Sequence, residues 1–213
     1  ERTVGAKRVI DSALPLVREA LPPRPGSTDV LRLADFGAAD GGTSRQMWNA
    51  LFEELREAGD EREIVITYTD LPSNDFSTLF RTMQGLQGDP SLAYQARLQG
   101  IYVHGCGTGF HRQLFPGGSL DLGFSATAMH YVSEIPCPIT GHVHQVGARG
   151  AEAERFAEQA RADWERILTA RARELKPGGR LVVLNFGIDE DGRYLGNTGG
   201  VHMFDTFERL WRE

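Results

Sequence analysis

The chain has 213 residues, with Lys+Arg 23 against Asp+Glu 29, so its net charge is 23 − 29 = −6 with histidine neutral. That length suits one α/β domain and is short for two, and hydrophobic residues at 40% with charged residues at 24% exclude wholesale disorder. The acid excess argues against a nucleic-acid binder, and no apolar run approaches the roughly 20 residues that span a bilayer.

Cys106 and Cys137 make neither a disulfide framework nor a CxxC metal pair. With no signal-peptide pattern at the start, a reducing, cytoplasmic setting is expected, with no membrane partner. The chain opens at Glu1 without methionine and closes at Trp211-Arg212-Glu213, which reads as mid-helix. A longer natural protein is therefore expected.

Thr3 to Leu21 carries apolar residues at helical spacing, with Pro15 inside it, so one kinked helix or two pieces are expected. Val30 to Phe36 reads as a buried strand that runs into Gly37-Ala38-Ala39-Asp40-Gly41-Gly42-Thr43-Ser44. A helix follows; Thr43 with Gln46 fits a capping box, and Gly59 is a natural stop. Glu63–Thr69, Ile101–His104 and Leu120–Ser125 read as three more strands. A long helix is expected over Ala151–Leu175, closed by Lys176-Pro177-Gly178-Gly179, before a fifth strand at Arg180–Phe186. Its core side is assigned to Phe156, Trp164, Ile167 and Leu168, and its solvated face to Arg161, Asp163, Glu165 and Arg166. Strands alternating with helices imply a doubly wound, mostly parallel sheet with helices on both faces.

The glycine-rich turn after the first strand lies where ligands sit in open α/β sheets. It is not GxGxxG, and it carries Asp35 and Asp40, which would repel a pyrophosphate. The acids favour S-adenosylmethionine, with its sulfonium, ammonium and ribose, over NAD. A tight turn with no ligand is the alternative. Asp70, closing the second strand, stands where a carboxylate can accept from the hydroxyls of a ribose; a turn cap is the competing reading.

Four stretches together resemble the SABATH family of carboxyl methyltransferases, which act on salicylate, benzoate, jasmonate and, in one branch, xanthines. They are Ala34-Asp35-Phe36-Gly37-Ala38-Ala39-Asp40-Gly41, Asp70-Leu71-Pro72-Ser73-Asn74-Asp75-Phe76-Ser77-Thr78-Leu79-Phe80, Phe110 to Pro116, and Ser125 to Pro136. The resemblance runs from about Lys7 to Phe186 and looks like a bacterial-type member. It implies a Rossmann-like class I methyltransferase with an α-helical lid missing or truncated. Residues 1–200 would form the S-adenosylmethionine-binding core and 201–213 the start of a helical cap.

The resemblance also implies site roles. Asp35, Gly37 and Asp40 would hold the methionine part of the cofactor, with Asp70 and Leu71 at the ribose and adenine. Gly109, where the family usually has serine, and Phe110 would line the adenine site, with Ser125 nearby. His130 and Tyr131 match the family's His-Trp pair that holds the substrate carboxylate, and the change from Trp to Tyr tilts the acceptor towards a non-salicylate, aliphatic acid such as a fatty acid. S-adenosylhomocysteine would be the product, the partner a small carboxylic acid, the assembly a homodimer, and no metal is expected. A carboxylic acid with a pKa near ~4 is already ionised at neutral pH, so the transfer needs orientation and no general base. The alternatives are an N-methyltransferase on the same scaffold, a nicotinamide-dependent oxidoreductase and a non-catalytic binding domain.

Other constellations read more simply. His142-Val143-His144 is half a metal site at most, and an exposed loop is the simpler reading. His104 and Cys106 suggest a packed thiol before a Cys–His nucleophile. Asp189-Glu190-Asp191-Gly192 reads as a turn.

Overall fold

The computed structural model describes residues 4–193 and 202–213. These divide into two compact units, one from residues 4–129 with Ile167–Leu184, the other from His130–Arg166 with residues 185–193 and 202–213.

The first unit holds a five-stranded sheet. Its strands are β1 (Leu31–Phe36), β2 (Ile64–Asp70), β3 (Ile101–Gly107), β4 (Leu120–Ala126) and β5 (Leu175–Leu184), in the order β3-β2-β1-β4-β5. Every pairing is parallel. Alternation along β1 sorts the core: Leu31 and Leu33 join one apolar cluster, Ala34 and Phe36 the other. On the first face lie the apolar stripes of α1 (Val4–Asp11), α2 (Leu14–Ala20) and α3 (Arg45–Glu57). There Trp48 stacks on Phe52 at 5.7 Å and meets Phe124 edge-on at 5.5 Å. On the other face Ile167 packs with Ala34, Phe36 and Leu120. The expected Rossmann-like sheet with helices on both faces is what forms. Chain order reverses at β1, which places a crevice at its carboxyl end, between β1 and β4.

Details depart from expectation for local reasons. The first helical segment is two helices, with Pro15 in the first turn of α2. The Thr43–Gln46 capping box does not form; Ser44 is the N-cap of α3 and makes no side-chain cap bond. β5 begins at Leu175, before the Lys-Pro-Gly-Gly turn: Leu175 pairs with Leu120, and Arg180 resumes the ladder against Leu122 across an irregularity. Cys106 is half-buried and His104 exposed, because β3 is an edge strand.

The largest correction concerns α6 (Ala151–Glu174). Trp164 and Leu168 are 37% and 44% exposed, whereas Asp163, Arg171 and Glu174 are buried beside Ile167. The inner stripe is polar because it faces irregular backbone whose amides and carbonyls need partners. In the first unit, Arg171 donates to Phe110 O and Arg112 O, each at 2.9 Å, and Glu174 accepts from the amides of Leu114 and Phe115. The Arg171 guanidinium pairs with Glu174 at 2.6 Å and lies 4.3 Å over the Phe36 ring. In the second unit, Asp163 accepts from Ser133 N at 2.8 Å.

The second unit also holds α7 (Met203–Arg212), within which the expected cap segment Phe204–Trp211 falls. Glu208 of α7 accepts from Val143 N at 2.7 Å, and Arg212 donates to Gly141 O at 3.2 Å. Asp189–Gly192 is a turn. No helix among the described residues is long and apolar enough to cross a membrane.

Candidate functional site

In the first unit the candidate residues gather at the carboxyl ends of four strands. Asp35 is the penultimate residue of β1, Asp70 the last of β2, Gly109 lies two residues beyond β3, and Ser125 is penultimate in β4. Gly37 leaves β1 with φ +74, and a Cβ there would stand 2.3 Å from that of Ala128 and 3.4 Å from the Phe110 ring. Backbone is therefore the only thing that fits at this point. A Cβ on Gly109 would come within 3.2 Å of the Leu71 side chain, so these two expected adenine neighbours do meet.

The loop is held by the motif that follows β2. Asp70 Oδ2 accepts from Ala39 N at 2.7 Å, and its Oδ1 accepts from Leu71 N at 2.7 Å. Asn74 Nδ2 donates to Ala39 O at 2.8 Å. Both polar groups of Ala39, at φ 49, are thus clamped by the Asp70…Asn74 segment. Asn74 and Ala39 were not singled out from sequence; the four-residue spacing of Asp70 and Asn74 was the available signal. Asp75 of the same motif caps α4 (Phe76–Met83) through Thr78 N at 3.0 Å. Asp70 is a loop clamp in this geometry, and its two oxygens retain further acceptor capacity.

The other acids differ in setting. Asp40 is exposed and accepts from Gly42 N at 2.9 Å, an Asx-type turn inside the loop. Ser125 is fully buried and donates to Phe36 O at 2.9 Å, which fixes β4 against the end of β1. Asp35 is 3% exposed; Ser44 Oγ at 2.7 Å and Trp48 Nε1 at 2.9 Å both donate to its Oδ2. Burial pushes the Asp35 carboxyl up to about 6, the two hydrogen bonds pull it down, and Asp70 adds to the rise. Neither Asp35 nor Asp70 makes an ion pair among the described residues. Two carboxylates beside a bare backbone turn, with no protein cation between them, suit a cationic ligand.

This has a pH consequence. The folded state holds the Asp35 proton above the range where the unfolded chain releases it, so stability from this group is full below about pH 4 and is lost as pH rises through about 6. The shift from 3.8 to about 6 amounts to about 3 kcal/mol. Asp35→Asn is therefore expected to make the ligand-free protein more stable than the parent at pH 7.5, by up to about 3 kcal/mol. It should also flatten the decline between pH 4 and 6. Urea unfolding across that range checks this, and identical slopes for the two proteins would count against it.

The second unit holds His130 and Tyr131, rings 4.4 Å apart, with His130 edge-on to Phe186 at 5.0 Å. His130 is half-buried, and desolvation moves its imidazole below the ordinary range, so it is neutral at pH 7. Both residues line a cavity of about 620 Å³, a volume typical of small-molecule sites. Its walls are otherwise mostly aliphatic and aromatic, with Ile135, Ile139, Val146, Phe156, Ile188 and Phe204 among them.

His142 and His144 are half-buried, not an open loop pair. His142 Nε2 lies 3.4 Å from Asp205 Oδ1, and among the described residues no group of three or more ligands could hold a metal.

Comparison with known proteins adds a second line. A family model described as "SAM dependent carboxyl methyltransferase" matches residues 5–213. Indole-3-acetate O-methyltransferase 1 of Oryza sativa subsp. japonica is 28% identical, over 92% of this chain and 55% of its own. Farnesoic acid carboxyl-O-methyltransferase of Arabidopsis thaliana is 26% identical, over 86% of this chain and 51% of its own. The chain thus spans about half the length of these relatives. Among solved structures, a loganic acid methyltransferase with SAH superposes with a TM-score of 0.75 at 24% identity, covering 97% of this chain and 61% of that one. That likeness supports the fold.

Proposed function

The chain belongs to the S-adenosylmethionine-dependent carboxyl methyltransferase family, the SABATH family, and from that membership we propose that the protein forms the methyl ester of an apolar carboxylic acid. The observation that carries the acid reading is the placement of His130 and Tyr131 on the wall of a largely apolar cavity. A carboxylate needs donors at one point and its body needs apolar contact elsewhere.

In this reading the first unit takes the cofactor. Asp35 faces the ammonium of the methionine moiety, with backbone at Gly37 and Asp40 beside it, and Asp70 accepts from the ribose hydroxyls. Leu71, Gly109 and Phe110 enclose the adenine, and Ser125 keeps β4 in register beneath. His130 and Tyr131 orient the acceptor. S-adenosylmethionine, when bound, would supply a methyl group activated on its sulfonium; the acid, already ionised near neutral pH, would take it on a carboxylate oxygen as the sulfonium becomes a neutral thioether, with no proton moved. Positioning of this kind is worth about 7–11 kcal/mol. The apolar walls accommodate the body of an aliphatic acid such as a fatty acid, towards which Tyr131 in place of the family's Trp tilts the acceptor. Two unpaired cysteines fit a cytoplasmic setting.

The test incubates the protein with S-adenosylmethionine and a panel of aliphatic and aromatic acids, and identifies products by mass spectrometry. A methyl ester with an equal amount of S-adenosylhomocysteine is expected. An N-methylated product from a purine panel, with no ester from any acid, would replace the proposal with the N-methyltransferase reading.

A further inference from the structure

The acceptor cavity holds a second imidazole that the reaction leaves unused. His144 lines the same cavity as His130. Its ring is stacked on Phe204, with centroids 3.8 Å apart and planes at 14°, so its orientation is set by packing. Val146 N donates to His144 Nδ1 at 3.3 Å, as the cap of the short turn Gln145–Gly147. Nδ1 is thereby the acceptor, and the neutral ring carries its proton on Nε2. Burial and the neighbouring His142 both lower the imidazole's proton affinity, which keeps the ring neutral at pH 7.

The adjacent histidine is engaged elsewhere. His142 Nδ1 meets the His144 backbone at 3.0 Å, and its Nε2 faces Asp205. Among the described residues, nothing accepts from His144 Nε2–H. A fixed donor on a wall built largely of Ile, Val and Phe calls for an acceptor on whatever fills the cavity, because a ligand seated there withdraws the donor from water and a polar group so withdrawn is costly unless hydrogen-bonded. A saturated hydrocarbon chain provides none.

We propose that His144 is a specificity-determining donor: the acid that fits this cavity carries, besides its carboxylate, a ketone, ether or hydroxyl oxygen on its apolar body, and His144 Nε2–H donates to it. The inference rests on the reading of the cavity as the acceptor site and narrows its substrate class to oxygenated aliphatic acids.

The experiment measures binding of decanoic acid and of 5-, 7- and 9-oxodecanoic acid by calorimetry, with S-adenosylhomocysteine present. At least one oxo acid should bind about five- to tenfold more tightly than decanoic acid, the effect of one net hydrogen bond. His144→Phe keeps an aromatic ring against Phe204 and should erase that preference. His144→Asn retains an acceptor for Val146 N and an amide donor, and should preserve part of it. Thermal unfolding of each variant separates a folding defect from a lost donor. Equal affinities across the four acids, or a preference that survives His144→Phe, overturn the inference while the acceptor reading stands. Failure of all four acids to bind the parent protein overturns both.

Discussion

Arg171→Met is expected to lower the unfolding free energy by about 3–5 kcal/mol, the usual result of removing one partner from a buried ion pair. The side chains of Arg171 and Glu174 are 1% and 0% exposed, so the variant leaves a carboxylate in the interior without its cation. It also removes the donors that Phe110 O and Arg112 O use. Methionine fills much of the space, so the loss reports polar groups more than a cavity. The double variant Arg171→Met/Glu174→Met should not return to parental stability, unlike many paired replacements. It still strands two carbonyls, and the amides of Leu114 and Phe115 lose their acceptor as well. Urea unfolding of both variants checks this; a single-variant loss below about 1 kcal/mol would show that water satisfies those groups.

Asp70→Ala carries the second large effect, and it falls on two properties at once. The variant releases Ala39 N from its acceptor, leaving a residue at φ 49 held from one side by Asn74 alone. Loss of an exposed amide's partner should cost about 1 kcal/mol of stability. The proposed ribose contact is charge-assisted and worth about 1.5–3 kcal/mol, so the Kd for S-adenosylhomocysteine should rise roughly 10- to 150-fold. Calorimetric titration beside urea unfolding separates the two. Unchanged affinity with a clear loss of stability would make Asp70 a loop clamp and nothing more.

The contrast between these two sites marks what the sequence reveals. The β1 loop and the Asp70 segment were legible because local chemistry writes itself in local spacing: strand, glycine turn, helix, then strand and acid. The parallel sheet followed from the alternation of elements. The inner face of α6 was not legible. A helical stripe is read as apolar by default, and Trp164 and Leu168 offered such a stripe. The real inner residues, Arg171 and Glu174, are polar because they serve the backbone of residues 110–115, about sixty positions away in sequence. Nothing in the helix itself announces that partner. The failed capping box has a similar cause, since the helix starts at Ser44, whose hydroxyl turns to buried Asp35 instead of the helix amides. His130 and Tyr131 were found by family resemblance; the apolar cavity around them comes from segments spread over residues 130–204 and needed the fold.

The reaction proposed here differs from its alternatives in one measurable respect: it moves no proton. Turnover at saturating acid and S-adenosylmethionine, followed from about pH 5 to 8.5, tests this most directly, because the acceptor's own pKa lies near ~4 while the His130 imidazole titrates between that and its ordinary range. A nearly flat profile is the expected result. With it, Tyr131→Phe should lower kcat/KM by about 1.5–3 kcal/mol, the loss of one hydrogen bond to a charged group, with cofactor affinity retained. A rate that climbs with pH inside this window, and loses that climb in His130→Asn, would show His130 taking a proton from the acceptor and would contradict transfer to an ionised carboxylate.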